Sequence, residues 1–242
     1  MQVADCMDYL RSLETDSVDL IITDPAYSGM NRHLRLGHGR IVGHYSSPGN
    51  ADWFQEFDDD PEKFACFLQE CKRVLREGRH IYIMFDTFSL LTLGATVRDH
   101  FGVKGVIVWD KLSMGMGNYF RRQHEFILFA ANGRRSINRR DITDVWRIRR
   151  LHRKKYPTQK PVALFQRMIE ASAAPGYIVC DPFLGSGSSA VAAVSAGCDF
   201  WGCDASPEAV RLARERLAGY LADGADPYEA KPPEAVTVWL PA

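Results

Sequence analysis

Tyr177-Ile-Val-Cys-Asp181-Pro-Phe-Leu-Gly185-Ser-Gly187-Ser-Ser-Ala190 combines an apolar run, a carboxylate, a glycine turn and the start of a small-residue helix. A strand that ends in such a turn and opens a helix presents backbone N–H groups to a ligand, and glycine lets that ligand come close. Asp204 closes the next apolar run, Phe200-Trp-Gly-Cys-Asp204. A carboxylate at that position can accept hydrogen bonds from ribose hydroxyls. The turn has the GxGxxA spacing, so the stretch predicts a site for a nucleoside-containing cofactor. A turn that merely packs helix on strand is the bland alternative, and a nicotinamide-dependent oxidoreductase is the competing enzyme class.

The same strand–helix alternation runs outward along the chain and predicts an α/β fold with a mostly parallel, doubly wound sheet. Val18-Asp-Leu-Ile-Ile-Thr-Asp24 reads as a strand, as do residues 80–85, 103–109 and 125–130. Continuous apolar runs such as Leu20-Ile21-Ile22 suit strands buried on both faces. A helix is expected over 60–78, with Asp60 as its cap, Pro61 in its first turn and Gly78 just past its end. Phe64, Phe67, Leu68, Cys71, Val74 and Leu75 make its buried stripe. Further helices are expected over 162–173, over 188–196 and from Ser206-Pro207 to about residue 221. Residues 28–59 and 134–156 break the rhythm. The tail at 223–233 reads as a loop and 236–240 as a last short strand, within a single domain spanning 1–242.

Composition excludes several classes. With 242 residues, 46% hydrophobic and 25% charged, the chain can bury a sizeable core. Its most apolar stretch, 81–97, is interrupted by Asp86 and followed by Arg98 and Asp99, so no membrane span is expected. Met1-Gln2-Val3-Ala4-Asp5 lacks the basic and apolar regions of a signal peptide, which predicts a cytoplasmic location. Cys6, Cys66, Cys71, Cys180, Cys198 and Cys203 form no CxxC pair and read as reduced core thiols. Lysine plus arginine number 30 and aspartate plus glutamate 30, a net charge of zero, which at face value argues against a nucleic-acid partner.

Two further motifs carry chemistry. Thr23-Asp24-Pro25-Ala26-Tyr27 follows a strand, at the sheet edge where open α/β folds bind ligands. A carboxylate, a turn with outward carbonyls and an aromatic ring suit a planar base carrying an amino group. Pro157-Thr158-Gln159-Lys160-Pro161 precedes a helix; taken alone it is a helix start with a solvated lysine.

Together and in this order, these motifs resemble the DNA amino-methyltransferases that modify N6 of adenine or N4 of cytosine, in the permuted β class where the catalytic motif precedes the cofactor motif. The resemblance runs from Asp5-Cys6 through Asp24-Pro25-Ala26-Tyr27, His124-Glu125, Val145-Trp146 and Thr158-Gln159-Lys160-Pro161 to Asp181-Pro-Phe-Leu-Gly-Ser-Gly187. It implies a Rossmann-like methyltransferase fold that binds S-adenosylmethionine. Asp181, Phe183, Gly185 and Gly187 would line the methionine and ribose, and Asp204 would hold the ribose hydroxyls. Asp5 and Cys6 would face the adenine, with Thr158 and Lys160 near the carboxylate. The target base would be flipped out of the duplex, its amine bonded to Asp24 and to the Pro25 carbonyl, with Tyr27 stacked on the ring. Ala26 departs from the usual Asp-Pro-Pro-Tyr, so the turn loses rigidity. The leading Asp, where cytosine-N4 enzymes often carry Ser, favours adenine N6. The alternatives are cytosine N4, an RNA target, and a non-catalytic DNA-binding module. A homodimer and a cognate restriction enzyme are partners that the resemblance admits.

Residues 134–160 hold eleven Lys or Arg against Asp141 and Asp144, so zero net charge hides a strongly basic segment. Lying where the class carries target recognition, it is expected to contact double-stranded DNA through Arg139, Arg140, Arg149, Arg150, Arg153, Lys154 and Lys155. The 28–59 loop, with Arg32, Arg35 and Arg40, is expected to close over the flipped base. His33, His38 and His44, five and six residues apart in that glycine-rich loop, are not read as a metal site.

Overall fold

The computed structural model describes residues 1–27, 60–115, 120–152 and 154–229. Its strands are β1 (Gln2–Val3), β2 (Val18–Thr23), β3 (Leu75–Phe85), β4 (Gly102–Asp110), β5 (His124–Asn132), β6 (Val145–Arg147), β7 (Ile178–Asp181) and β8 (Asp199–Asp204). Its helices are α1 (Cys6–Ser12), α2 (Pro61–Val74), α3 (Thr87–His100), α4 (Val162–Ser172), α5 (Ser188–Ser195) and α6 (Pro207–Asp223). The strands form one sheet in the order β1-β8-β7-β2-β3-β5-β4-β6. Among the described strands only β5 is antiparallel to its neighbours, so the carboxyl ends of the other seven share one edge.

Side-chain alternation along the central strands feeds two separate layers. Ile21, Ile81 and Ile83 pack with Leu10, Phe64, Phe67, Leu93 and Val97 of α1, α2 and α3. Leu20, Ile22, Tyr82 and Met84 point the other way, onto Leu164, Phe165 and Met168 of α4 and Val191 and Ala192 of α5. Helices therefore cover both faces, which is the doubly wound arrangement that the continuous apolar strands predicted.

Several boundaries differ from the sequence reading. Helix α2 is capped by Asp60, which accepts from the N–H groups of Glu62 and Lys63, but it ends at Val74. Leu75 is already extended, and Gly78 takes its positive φ of 72° inside an irregular start of β3, where pairing jumps from Val18↔Leu75 to Leu20↔His80. Elements β1, α1, α3 and β6 were not expected. Cys66 is exposed, unlike the other five cysteines. The expected strand at 236–240, the 28–59 loop with Arg32, Arg35, Arg40 and its histidines, and Arg153 lie outside the described residues. No described helix is long and apolar enough to cross a membrane.

The basic segment is divided by the sheet. Because β5 runs backwards, it delivers Arg134 and its successors to the edge opposite the strands' carboxyl ends, where Asn138 bonds the last carbonyls of α4. Arg139 pairs there with Asp141 and Glu170 at 2.5 Å each. Strand β6, parallel to β4, then carries the chain back, and the backbone of Ile148 and Arg150 bonds Asp110 and Lys111 at the carboxyl edge. Arg139 and Arg140 thus cannot join Arg149, Arg150 and Lys155 in one docking face.

Arg216 of α6 is wholly buried. Its guanidinium pairs with Asp226 (2.5 Å) and Glu229 (2.9 Å) and donates to the Ser188 hydroxyl (2.7 Å) at the start of α5. Removing one side of a buried ionic network strands the rest without compensation, which costs about 3–5 kcal/mol. Arg216→Ala is therefore expected to lower stability by roughly that amount, read as a fall in the urea midpoint at unchanged slope.

Candidate active site

A cavity opens at the carboxyl edge, where the rule for open α/β sheets places ligands. Asp5 and Cys6 at the start of α1, Asp24 and Ala26 beyond β2, and Tyr156, Thr158, Gln159 and Lys160 ahead of α4 line it. Residues 181–186 beyond β7, Ser188, Asp204 and Ala205 complete the wall. Three motifs far apart in sequence meet here because β2, β7 and β8 are adjacent and parallel.

The turn after β7 is held from below. Asp181 accepts from the Phe183 N–H (3.0 Å) and the Ser189 hydroxyl (2.6 Å). Burial pushes its carboxyl up to about 7, against those two hydrogen bonds. Asp204 accepts from Gly185 N–H at 3.0 Å and Ser206 N–H at 2.9 Å. Burial raises its pKa as well, while these donors oppose the rise. Of the two glycines, Gly185 lines the cavity at φ 49°, where an added Cβ would lie 3.4 Å from the Tyr156 ring. Gly187 faces away: a Cβ there would meet Ala213 at 2.8 Å, so its smallness serves α5–α6 packing.

Asp24 is bound to Lys160 across 136 residues of sequence. The same ammonium lies 3.6 Å from Glu125, whose other oxygen pairs with Lys111 at 3.1 Å. Burial and Glu125 raise the Asp24 pKa against the pull of Lys160. Burial works against the Lys160 charge, but the two carboxylates outweigh it and hold that pKa above its ordinary value. Burial likewise opposes the Glu125 charge, yet Lys160 and Lys111 pull its pKa below the usual one. Lys160 was expected beside a cofactor carboxylate; it holds the Asp24 carboxylate instead. Glu125 has only a weak sequence signal, a carboxylate at the start of an apolar strand, until the fold brings it beside Lys160.

Tyr27 was expected to stack on a base, yet it is 3% exposed. Its hydroxyl donates to the Met84 carbonyl at 2.8 Å and its ring stacks on Phe85 at 5.2 Å, which draws it beneath the turn. Pro25 is buried at the turn and is not part of the cavity wall. Lys154, expected on DNA, points inward: its ammonium donates to the Pro157 carbonyl at 3.3 Å, and burial together with Lys160 pushes it down to about 8. Arg149 and Lys155 are exposed and Arg150 is half-buried. Gln159 is 3% exposed and accepts from Lys155 N–H through Oε1 at 3.1 Å. That contact fixes the amide's orientation and leaves Nε2 a buried donor with no partner.

Known proteins are similar to this chain in sequence and in fold. The family of N6/N4 methyltransferases, described as DNA methylase, matches residues 18–215. Type II methyltransferase M.HpaI of Haemophilus parainfluenzae is 30% identical over 237 residues, covering 86% of this chain and 70% of its own. Type II methyltransferase M2.DpnII of Streptococcus pneumoniae is 28% identical, covering 88% and 87%. DNA adenine methyltransferase YhdJ of Escherichia coli is 28% identical, covering 88% and 80%. In fold, the chain is similar to the M1.HpyAVI–SAM complex, with a TM-score of 0.66 at 21% identity, covering 90% of this chain and 99% of that one. It is also similar to the cytosine-N4-specific PvuII DNA methyltransferase, with a TM-score of 0.69 at 13% identity, covering 88% and 83%.

The Asp181 environment sets a pH dependence. Its carboxyl loses the proton near pH 7 when folded, against an ordinary value of 3.8. Between those values the folded chain keeps a proton that the unfolded chain has lost, so stability falls as pH rises. Urea unfolding of the wild type and of Asp181→Asn across that window is expected to give a shallower fall for the variant, by an amount of order 1 kcal/mol per pH unit. Equal slopes would remove Asp181 as the titrating group.

Proposed function

The chain belongs to the N6/N4 DNA methylase family, and we propose that it transfers a methyl group from S-adenosylmethionine to the exocyclic N6 of adenine in double-stranded DNA. The observation that carries this reading is the placement of Asp24 in the wall of the same cavity as the Gly185 turn and Asp204.

The cavity's chemistry fits the cofactor. Gly185 leaves room against Tyr156 that a side chain would take. Asp204, the last residue of β8, would accept from ribose hydroxyls, and Asp5, the N-cap of α1, from an adenine amine; both line the cavity. The unpartnered Gln159 Nε2 is a donor for a carboxylate, the role first expected of Lys160. Phe183 and Leu184 supply apolar wall for the methionine chain. When bound, S-adenosylmethionine supplies an electrophilic methyl group on a sulfonium.

The chain's own residues prepare the amine. An exocyclic amine is a poor nucleophile because its lone pair is delocalised into the ring. Asp24, in the cavity wall, would accept a hydrogen bond from one amine N–H, and the Pro25 carbonyl, buried between the wall residues Asp24 and Ala26, is the acceptor we assign to the other; two such acceptors favour a pyramidal nitrogen and stabilise the positive charge that develops on it. Fixing that nitrogen in one orientation removes much of the remaining barrier. An aspartate at position 24, together with a relative named as a DNA adenine methyltransferase, favours adenine over cytosine. Tyr27, bonded to Met84 and stacked on Phe85, braces the turn from below.

For the duplex, the carboxyl-edge part of the basic segment is the docking face: Arg147, Arg149 and Lys155 are exposed there. Phosphate contacts fix register and make affinity fall with salt.

Labelled cofactor incubated with unmethylated genomic DNA and the protein is expected to place label in N6-methyladenosine after digestion to nucleosides, and Asp24→Ala to abolish it. Label in N4-methylcytosine would transfer the reading to the other base, and undiminished transfer by Asp24→Ala would overturn the mechanism. Replacing Arg149, Arg150 and Lys155 by alanine is expected to weaken duplex binding and reduce its salt slope by about one unit per lost phosphate contact. The pair Arg139→Ala and Arg140→Ala, at the far edge, is expected to change neither.

A further inference from the structure

We infer that Glu125 is a positioning residue for the Asp24 carboxylate, acting through the Lys160 ammonium that the two acids share; this rests on the methyl-transfer function proposed above. Four charges alternate in sign across the carboxyl edge: Asp24, Lys160, Glu125 and Lys111. Their side chains are between 12% and 31% exposed, so water screens them weakly.

The need for a second acid follows from what Asp24 must do. Lys160 is bound at Asp24 Oδ2, and an amine that donates to the same carboxylate draws on the same charge and so weakens its hold on Lys160. An ammonium released into a half-buried site with no other anion is uncompensated, and that cost would oppose substrate entry. Glu125, 3.6 Å from the same nitrogen, gives Lys160 a partner that remains when the amine arrives. Lys111, 3.1 Å from the other Glu125 oxygen, keeps Glu125 ionised so that it can serve this way.

Other charged groups face the pair. Lys154 acts on both Asp24 and Glu125, and Asp181 and Tyr156 feel the Asp24 charge. None of these touches Lys160 in the way that Asp24 and Glu125 do. Glu125 is among the groups that raise Asp24, so neutralising it is expected to lower the Asp24 pKa, and the acidic limb of the rate profile should move to lower pH.

The test compares wild type, Glu125→Gln and Glu125→Asp in three measurements. Glu125→Gln is expected to lower kcat roughly 10- to 100-fold, leave S-adenosylmethionine affinity within about twofold of wild type, and shift the acidic limb downward; Glu125→Asp is expected to restore most of the rate and the limb. A titration of the Asp24 carboxyl by carbon NMR, wild type against Glu125→Gln without DNA, should show the same downward shift. Wild-type kcat in Glu125→Gln, or a loss explained by unfolded protein with neither the limb nor the NMR titration moved, would overturn the proposal. Failure of the wild type itself to methylate DNA would instead sink the proposed reaction, and the NMR shift would still decide whether Glu125 governs Asp24.

Discussion

Lys160 is the point at which the two halves of the carboxyl edge are tied. Its side chain neutralises Asp24 at the end of β2 and leans on Glu125 at the start of β5. Its carbonyl accepts from Ser188, the first residue of α5, whose oxygen in turn accepts from the buried Arg216. One continuous polar chain therefore runs from the Asp24 turn, through the segment ahead of α4 and the glycine turn, to Asp226 and Glu229 beyond α6. Burying this many charges is costly unless each is paired. The pairing holds only if the three loops keep one mutual geometry, so the network specifies the cavity's shape as much as it stabilises it.

The doubly wound sheet makes that network possible. A parallel sheet gathers the ends of successive strands on one edge, and residues 24, 181 and 204 arrive together although some 180 positions separate the first from the last. The reversal of β5 has two consequences. Its first turn brings Glu125 to the active edge, and its last turn sends Arg134 to Arg140 to the opposite one. A net charge of zero says little about binding for this reason: what matters is which charges the topology leaves on the edge where a duplex would lie. Arg147, Arg149 and Lys155 are there, and Arg139 is spent on Asp141 and Glu170.

The glycine turn, Asp204 and the β2 turn were legible because each is local: strand, turn and helix signals lie within a few residues of one another. Helix α3 was not, since only Ser89, Leu93 and Val97 are buried while Phe88 and Leu91 are exposed, which blurs the apolar stripe. Gly185 and Gly187 look alike in sequence, yet one borders the cavity and the other the packing of α6, a difference set by Tyr156 and Ala213, far from the turn in sequence. The Lys160 pairing was invisible for the same reason. A lysine ahead of a helix reads as solvated until the fold shows two carboxylates beside it. The charge run at 134–160 misled because linear density carries no information about a strand reversal.

Ala26 shows how the chain keeps a turn rigid without the residue that would ordinarily stiffen it. Proline in a compatible position stabilises by about 0.4–1 kcal/mol, chiefly by restricting the unfolded chain. Alanine forfeits that gain. Rigidity in the folded state must come from contacts, and both neighbours provide them. Asp24 on one side is bound to Lys160, and Tyr27 on the other is bonded to Met84 and stacked on Phe85. Only Pro25 and Ala26 lie between these anchors, too few to swing independently of their ends. The substitution should therefore appear as a modest loss of stability, and the buried Tyr27 hydroxyl becomes the contact on which the position of the turn most depends.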